Sequence, residues 1–364
     1  MPPLDPHPML VLERGHYFSV EPAWNGLYSL MLLEQAEHLS GLSDWVERTW
    51  EQIGADGRHR NRLVMIGLHY AVIPERSFPS FWAYLEYMSK ADPYQLRDQL
   101  IWHLWSGSAR TPVEGELPPP ASPADMLISL DHYLHFLRVY SNCGDIDEEI
   151  ESEAYSYMID PPRMQRLIVE HLRWIWEGWL QAEWDRQRGL LHESVEAFRQ
   201  VSFAGLSPQQ IVEQVTGREL DQKWQAMIAT TPQLVFVPSQ HSGPYVGKLR
   251  THSQLIIFYR ARLPATSGVR GSALSRSDLL IRLGALTDDT RLRILELLVQ
   301  NEELCAPEIM LRLDLSQSAV SRHLRQISAA GYITERWHDG SKCYQLNRER
   351  INDTLLALKR FLGE

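Results

Sequence analysis

The stretch Asp314-Leu-Ser-Gln-Ser-Ala-Val-Ser-Arg-His-Leu-Arg-Gln-Ile-Ser-Ala-Ala-Gly331 decides how the C-terminal quarter of this sequence is read. A tight polar turn at Asp314-Leu-Ser316 precedes a helix predicted over 317–330. Gly331 suits its C′ position, where a positive φ is needed. Val320, Leu324 and Ile327 share one face and are spaced to pack inward. Ser318, Ser321, Arg322 and Arg325 recur at i, i+3, i+4 and i+7 on the opposite face. Hydroxyls and guanidiniums there donate to phosphates and guanine edges, and Gln317 beside them suits adenine. Taken alone, the same residues also fit an ordinary solvated helix face.

The flanks narrow that choice. Upstream, Thr287 or Asp288 caps a helix whose apolar stripe is predicted at Leu292, Leu295 and Val299. A short helix over 306–313 follows. Downstream, Tyr332–Trp337 and Lys342–Leu346 are strand-like runs around His338-Asp-Gly-Ser341, a hairpin signal. Helix, short helix, turn, helix and two-stranded wing is the order of a winged helix-turn-helix. The wing places Arg336, His338 and Lys342 to reach a nucleic-acid backbone or minor groove. The candidate DNA contacts are therefore Ser316, Gln317, Ser318, Ser321, Arg322, His323, Arg325, Arg336, His338 and Lys342.

With Glu303-Leu-Cys305, Leu315 to Leu324 and Ala329-Ala-Gly-Tyr-Ile333 in hand, Leu283 to Leu346 resembles the ArsR family of bacterial transcriptional regulators. The resemblance implies a homodimer on a palindromic double-stranded operator, one recognition helix per major groove, with half-sites about 10 base pairs apart. It also implies a repressor. Metal-sensing members carry a second cysteine where this chain has Pro307, and other members carry ligands on a final helix that here lacks histidine. Neither a metal nor another cofactor is expected, and Cys305 is read as a buried apolar residue. Ile351, Leu355, Leu358 and Leu362 repeat along the last helix, read as a two-fold dimer contact or as packing on its own domain.

The whole chain, 364 residues with 36 Lys+Arg and 46 Asp+Glu, has a net charge of −10, which opposes binding DNA by bulk positive field. The charge is unevenly placed. Residues 273–364 hold 13 basic and 13 acidic residues, while residues 1–272 hold 23 and 33. The DNA-reading domain is neutral. Three scattered cysteines argue against a disulfide framework and for a reducing cytoplasm. The first residues lack a signal-peptide pattern, and no apolar run approaches a membrane span.

The expected organisation is a helical region with a small β-sheet over 1–263, a linker over 264–277 and the winged helix over 278–364, mainly α with a minor β component. Prolines make 108–123 a surface loop. Helical spacing marks Ala23–His38, Asn61–His69, Phe78–Met88, Pro93–Trp105, Ala124–Tyr140, Pro161–Arg188 and Leu190–Phe203. Gln233–Pro238 and Gln254–Tyr259 read as strands paired in a hairpin-like ribbon, with Met9–Leu12 as a third. Asp145–Glu153 reads as a solvated acidic helix face.

Trp174, Trp176 and Trp179 lie on an unusually wide apolar arc, which fits either a ligand pocket or core packing. Gly67-Leu-His-Tyr70, Phe78-Pro-Ser-Phe81 and Leu234–Ser239 resemble a domain that accompanies ArsR-like winged helices in some longer bacterial regulators. No nucleophile elbow, phosphate loop or zinc spacing occurs, so the chain is not expected to be an enzyme. Three roles stand open for the N-terminal region: a body that senses a small molecule or protein effector or extends the dimer, an enzyme autoregulated by the winged helix, and an interaction platform.

Overall fold

The computed structural model describes residues 15–39, 42–106, 121–140, 146–218, 220, 222–231, 233–243, 245–251, 254–264, 276–301, 303–338 and 341–362. Most of the expected linker, most of the proline-rich loop and the strand expected at Met9–Leu12 lie outside these residues, and the linker's last two positions, 276 and 277, begin a helix. Two compact units emerge. One comprises Met1–Val20, Gln35–Glu47 and Gln187–Glu364; the other comprises Glu21–Glu34 and Arg48–Arg186.

The second unit is helical. Its helices include Pro22–Leu33, Phe81–Lys90, Pro93–Ser106, Leu130–Tyr140, Glu148–Met158 and Pro161–Ile175. Ser80, Asp147 and Asp160 cap three of them by accepting from backbone amides, satisfying otherwise orphaned donors. Gly26 permits a close helix contact, because a Cβ there would lie 2.4 Å from the Phe81 ring. Phe81 in turn stacks on Trp176 at 4.4 Å.

The centre of this unit is polar. Asn61 is fully buried and donates from Nδ2 to the Leu30 carbonyl at 3.0 Å and to Glu34 Oε1 at 2.7 Å. Its Oδ1 lies 3.1 Å from Nε2 of buried His171. Burial, with Arg60 adding to it, pushes the His171 imidazole down to about 4, so the ring is neutral and donates. The acidic run is not wholly solvated, as sequence spacing suggested. Ile150, Ala154 and Met158 are buried, Tyr133 donates to Glu151 at 2.7 Å, and burial raises the Glu151 carboxyl to about 7.

The other unit holds two sheets. In the first, β1 (His16–Phe18), β2 (Gln233–Ser239), β3 (Gly247–Arg250) and β4 (Gln254–Arg260) take the order β1-β2-β4-β3. β2 pairs with β4 in parallel, Leu234 opposite Leu255, and only β3 runs antiparallel to β4. The expected hairpin of β2 with β4 is thereby corrected. Both strands are buried along almost their whole length, the pattern of strands covered on both faces. Phe18, Phe198, Phe203, Phe236 and Tyr259 form an aromatic core against this sheet.

The winged helix comprises α1 (Arg276–Gly284), α2 (Asp289–Gln300), β5 (Leu304–Cys305), α3 (Ala306–Leu313), α4 (Gln317–Ala330), β6 (Ile333–His338), β7 (Ser341–Leu346) and α5 (Arg348–Leu362). β7 lies between β5 and β6, antiparallel to both. Its core gathers Ile294, Leu298, Ile309, Val320, Leu324, Ile327 and Tyr332. The stripe on α2 is shifted from the sequence reading: Ile294, Leu295 and Leu298 are buried, whereas Leu292 and Val299 are about half exposed. The two candidate stripes overlap at Leu295, and contact with α3 and α4 selects the one containing Ile294.

Candidate nucleic-acid interface

The interface is built on α4. Its amino end is set by Ser316, whose hydroxyl accepts from Ala319 N at 3.3 Å. The preceding turn closes on Asp314, whose φ of 54° is the left-handed conformation that a short polar side chain tolerates. Gly331, at φ 80°, ends the helix by donating to the Ser328 and Ile327 carbonyls. Burial of Val320, Leu324 and Ile327 then fixes the rotation of α4.

That rotation leaves Ser316, Gln317, Ser318, Ser321, Arg322 and Arg325 exposed along one side. The arrangement offers hydroxyl donors flanked by two guanidiniums, and no acidic residue lies on the helix. His323 departs from the sequence reading. It is 8% exposed and lies 3.5 Å from Asp288, so it belongs to the inner side. Burial lowers its pKa, opposed by Asp288, with Arg322 and Arg291 pushing the same way as burial. An inward ring of this kind positions α4 rather than presenting a base-reading group.

On the wing, Arg336 and His338 stand in β6, opposite Cys343 and Ser341 in the ladder. Lys342 is half-buried in β7. The same ladder sets Cys305 opposite Cys343, and the two are joined as a disulfide. Cys305 is therefore not the lone apolar cysteine of the sequence reading. Residues 38 apart meet only because β5 adds to the wing, a pairing that no local spacing announces.

Two further arginines hold α4 and were missed in the sequence. Arg291 is buried, and donates to the Ala285 carbonyl at 2.8 Å, to the Gly284 carbonyl at 2.9 Å and to Gln326 Oε1. Arg218, far upstream, donates to the carbonyls of Ser328, at 2.8 Å, and Ala329. These belong to the last turn of α4, where the helix dipole favours a cation. Neither arginine falls in a motif, so only the folded chain reveals them.

The other sequence candidates separate. Trp176 is buried against Phe81, whereas Trp174 is 37% exposed and packs edge-to-face with Trp179 at 4.7 Å. A π-helical turn at Trp176–Leu180 widens the helix there and breaks the spacing that put the three on one arc. Trp176 thus packs inward on Phe81, and Trp174 pairs with Trp179 instead. On α5, Ile351 packs on the domain core and Leu358 is half-buried, while Leu355 and Leu362 are exposed together with Leu356 and Phe361. Among the described residues of α5, Thr354 is buried most deeply, and it accepts from Arg282 Nη1 at 3.2 Å.

Residues 288–335 match the family described as bacterial regulatory protein, arsR family. The arsenic resistance transcriptional regulator ArsR1 of Pseudomonas putida is 41% identical over 64 residues, covering 18% of this chain and 50% of that protein. ArsR2 of the same organism is 38% identical over 87 residues, covering 22% of this chain and 76% of its own length. The chain thus spans half of the first relative and about three quarters of the second. Among solved structures, reduced HlyU from Vibrio cholerae is 32% identical with a TM-score of 0.20, covering 24% of this chain and 92% of that one. The antimony-specific transcriptional repressor AntR is 19% identical with a TM-score of 0.20, covering 28% and 95%. Through this C-terminal domain, with its DNA-binding helix-turn-helix, the chain belongs to the ArsR family of bacterial regulatory proteins.

Proposed function

We propose that the protein is a non-enzymatic transcriptional repressor that binds a palindromic operator as a homodimer. In this reading residues 278–364 read DNA, residues 1–263 form the regulatory region, and 264–277 join them. One observation carries it: Ser318, Ser321, Arg322 and Arg325 line the exposed side of α4, directly opposite its buried apolar seam. Ser316, Gln317 and the wing residues Arg336, His338 and Lys342 extend the contact to the backbone. The exposed Leu355, Leu356, Phe361 and Leu362 on α5 support a second copy of the chain as the dimer partner. The helical unit contains no helix long and apolar enough to cross a membrane among the described residues.

The test is a mobility-shift titration against the DNA upstream of the protein's own gene. Arg322→Ala is expected to weaken specific binding by about 1–3 kcal/mol, roughly 5- to 150-fold, and to relax the base preference at one position. Unchanged affinity in a folded variant removes Arg322 from the interface and with it the assignment of this helix face.

A further inference from the structure

A cavity of about 730 Å³ opens where the last turn of α4 and the wing meet Gly217, Arg218, Leu220, Trp224 and Tyr245. Its volume lies within the range of small-molecule sites. Arg218, Arg325, Lys342 and Arg350 all line it, and no carboxylate does among the described residues. Trp224 and Tyr245 supply aromatic surface on the wall contributed by the N-terminal region. Lys248 stands over the Trp224 ring at 4.5 Å, adding a further cation at that edge.

Part of the positive charge here is held in place. Arg218 is fixed by its two donations to the carbonyls of Ser328 and Ala329. Gly331 lies so near Arg350 that a Cβ would come within 2.8 Å of its Nε. Burial pushes the Arg218 guanidinium down to about 10, and the neighbouring Arg350 and Arg282 push the same way, against Tyr245. Like charges gathered at a partly dry surface favour an anion that spreads its charge over two or three oxygens, which the forked guanidinium matches.

We propose that this cavity is an effector site for a small anionic ligand carrying an aromatic ring, its carboxylate or phosphate held by Arg218 and Arg350 and its ring against Trp224 and Tyr245. Ser321, Arg325 and Lys342 border the same cavity, and the proposed function uses all three for DNA. A ligand here binds the arrangement in which Arg218, Leu220, Trp224 and Tyr245 stand beside the reading face. By linkage it lowers DNA affinity by the factor by which DNA lowers its own. The consequence for DNA rests on the proposed function; ligand binding itself does not.

The experiment has two arms, both on the full chain. In the first, without DNA, calorimetric titrations use adenosine 5′-monophosphate, salicylate and indole-3-acetate, with inorganic phosphate and adenosine as controls. At least one anionic aromatic probe is expected to bind about tenfold or more tighter than phosphate, with adenosine silent. Arg350→Gln and Arg218→Gln are each expected to weaken that probe about tenfold, with the circular dichroism spectrum retained. Binding by none of the three probes, or binding indifferent to Arg350→Gln, overturns the proposal. If duplex DNA alone engages these cations, the cavity is part of the DNA interface and the effector site falls. In the second arm, a saturating probe is expected to weaken operator binding. Should Arg322→Ala leave DNA binding untouched while the probe still binds, the DNA-reading assignment fails and the ligand site stands.

Discussion

The helical unit and the winged helix are held together by opposite strategies. In the helical unit, residues distant in sequence converge on a buried polar centre: Asn61 reaches Leu30 and Glu34 in one direction and His171 in the other. In the winged helix the buried centre is apolar, and polar groups act at its margins as caps, carbonyl clamps and a disulfide. A buried polar centre makes stability depend on protonation, whereas an apolar one clamped at its edges makes it depend on the clamps.

Removing a clamp sharpens that contrast most. The Cys305–Cys343 bond encloses a loop of 38 residues, for which chain entropy gives about 4 kcal/mol of stabilisation. Reduction, or Cys343→Ser, is expected to lower amide-exchange protection across the winged helix and to leave the helical unit unchanged. Equal protection in both redox states would break the contrast on this side.

Acid probes the other side. His171 has its pKa lowered to about 4, as does His69, where burial and His103 act together. An unfolded histidine binds its proton near pH 6.5, so the unfolded chain holds more protons between that value and about 4. Stability therefore falls as pH drops through this window, by roughly 3 kcal/mol for His171. Glu151 acts with the opposite sign, because its raised carboxyl pKa favours the fold at the acid end. Most of the twelve tryptophans lie in the helical unit, so intrinsic fluorescence during acid titration follows it. His171→Asn is expected to flatten the profile; a profile that stays as steep assigns the acid response elsewhere.

The smallest expected effect is at the turn before α4. Asp314 holds a φ of 54° at an exposed site, and Asp314→Gly removes the Cβ penalty while adding disorder to the unfolded chain. The two nearly offset, leaving a gain of about 0.5 kcal/mol, read as a small rise in Tm. A loss of more than this would show that the Asp314 side chain does more than tolerate the turn.

Much of the winged helix was legible because its signals are local. The faces of α4 follow from a period of 3.6, and the turn and C′ residues follow from backbone sterics. His323 escaped that reading because it lies at the edge of the inner arc, where packing against α2 rather than period decides. The parallel pairing of β2 with β4 escaped because two apolar runs look alike whichever way their neighbours run, although their unbroken hydrophobicity is the mark of a strand covered on both faces. Trp179 was misplaced by the π turn, which no composition of residues announces. Arg218 and Arg291 were invisible for a simpler reason: what they bind is backbone, and carbonyls have no letter in a sequence.

The Arg291 fork has one more consequence, for how this domain tolerates change. Val320 and Ile327 supply volume, and other apolar side chains of similar size supply it nearly as well. Arg291 supplies a shape that reaches two carbonyls and one amide oxygen at once. Lysine is a point donor without that planar spread. The tilt of α4 is thereby tied to the pairing of Arg291 with Gln326, which a lysine at 291 would not reproduce.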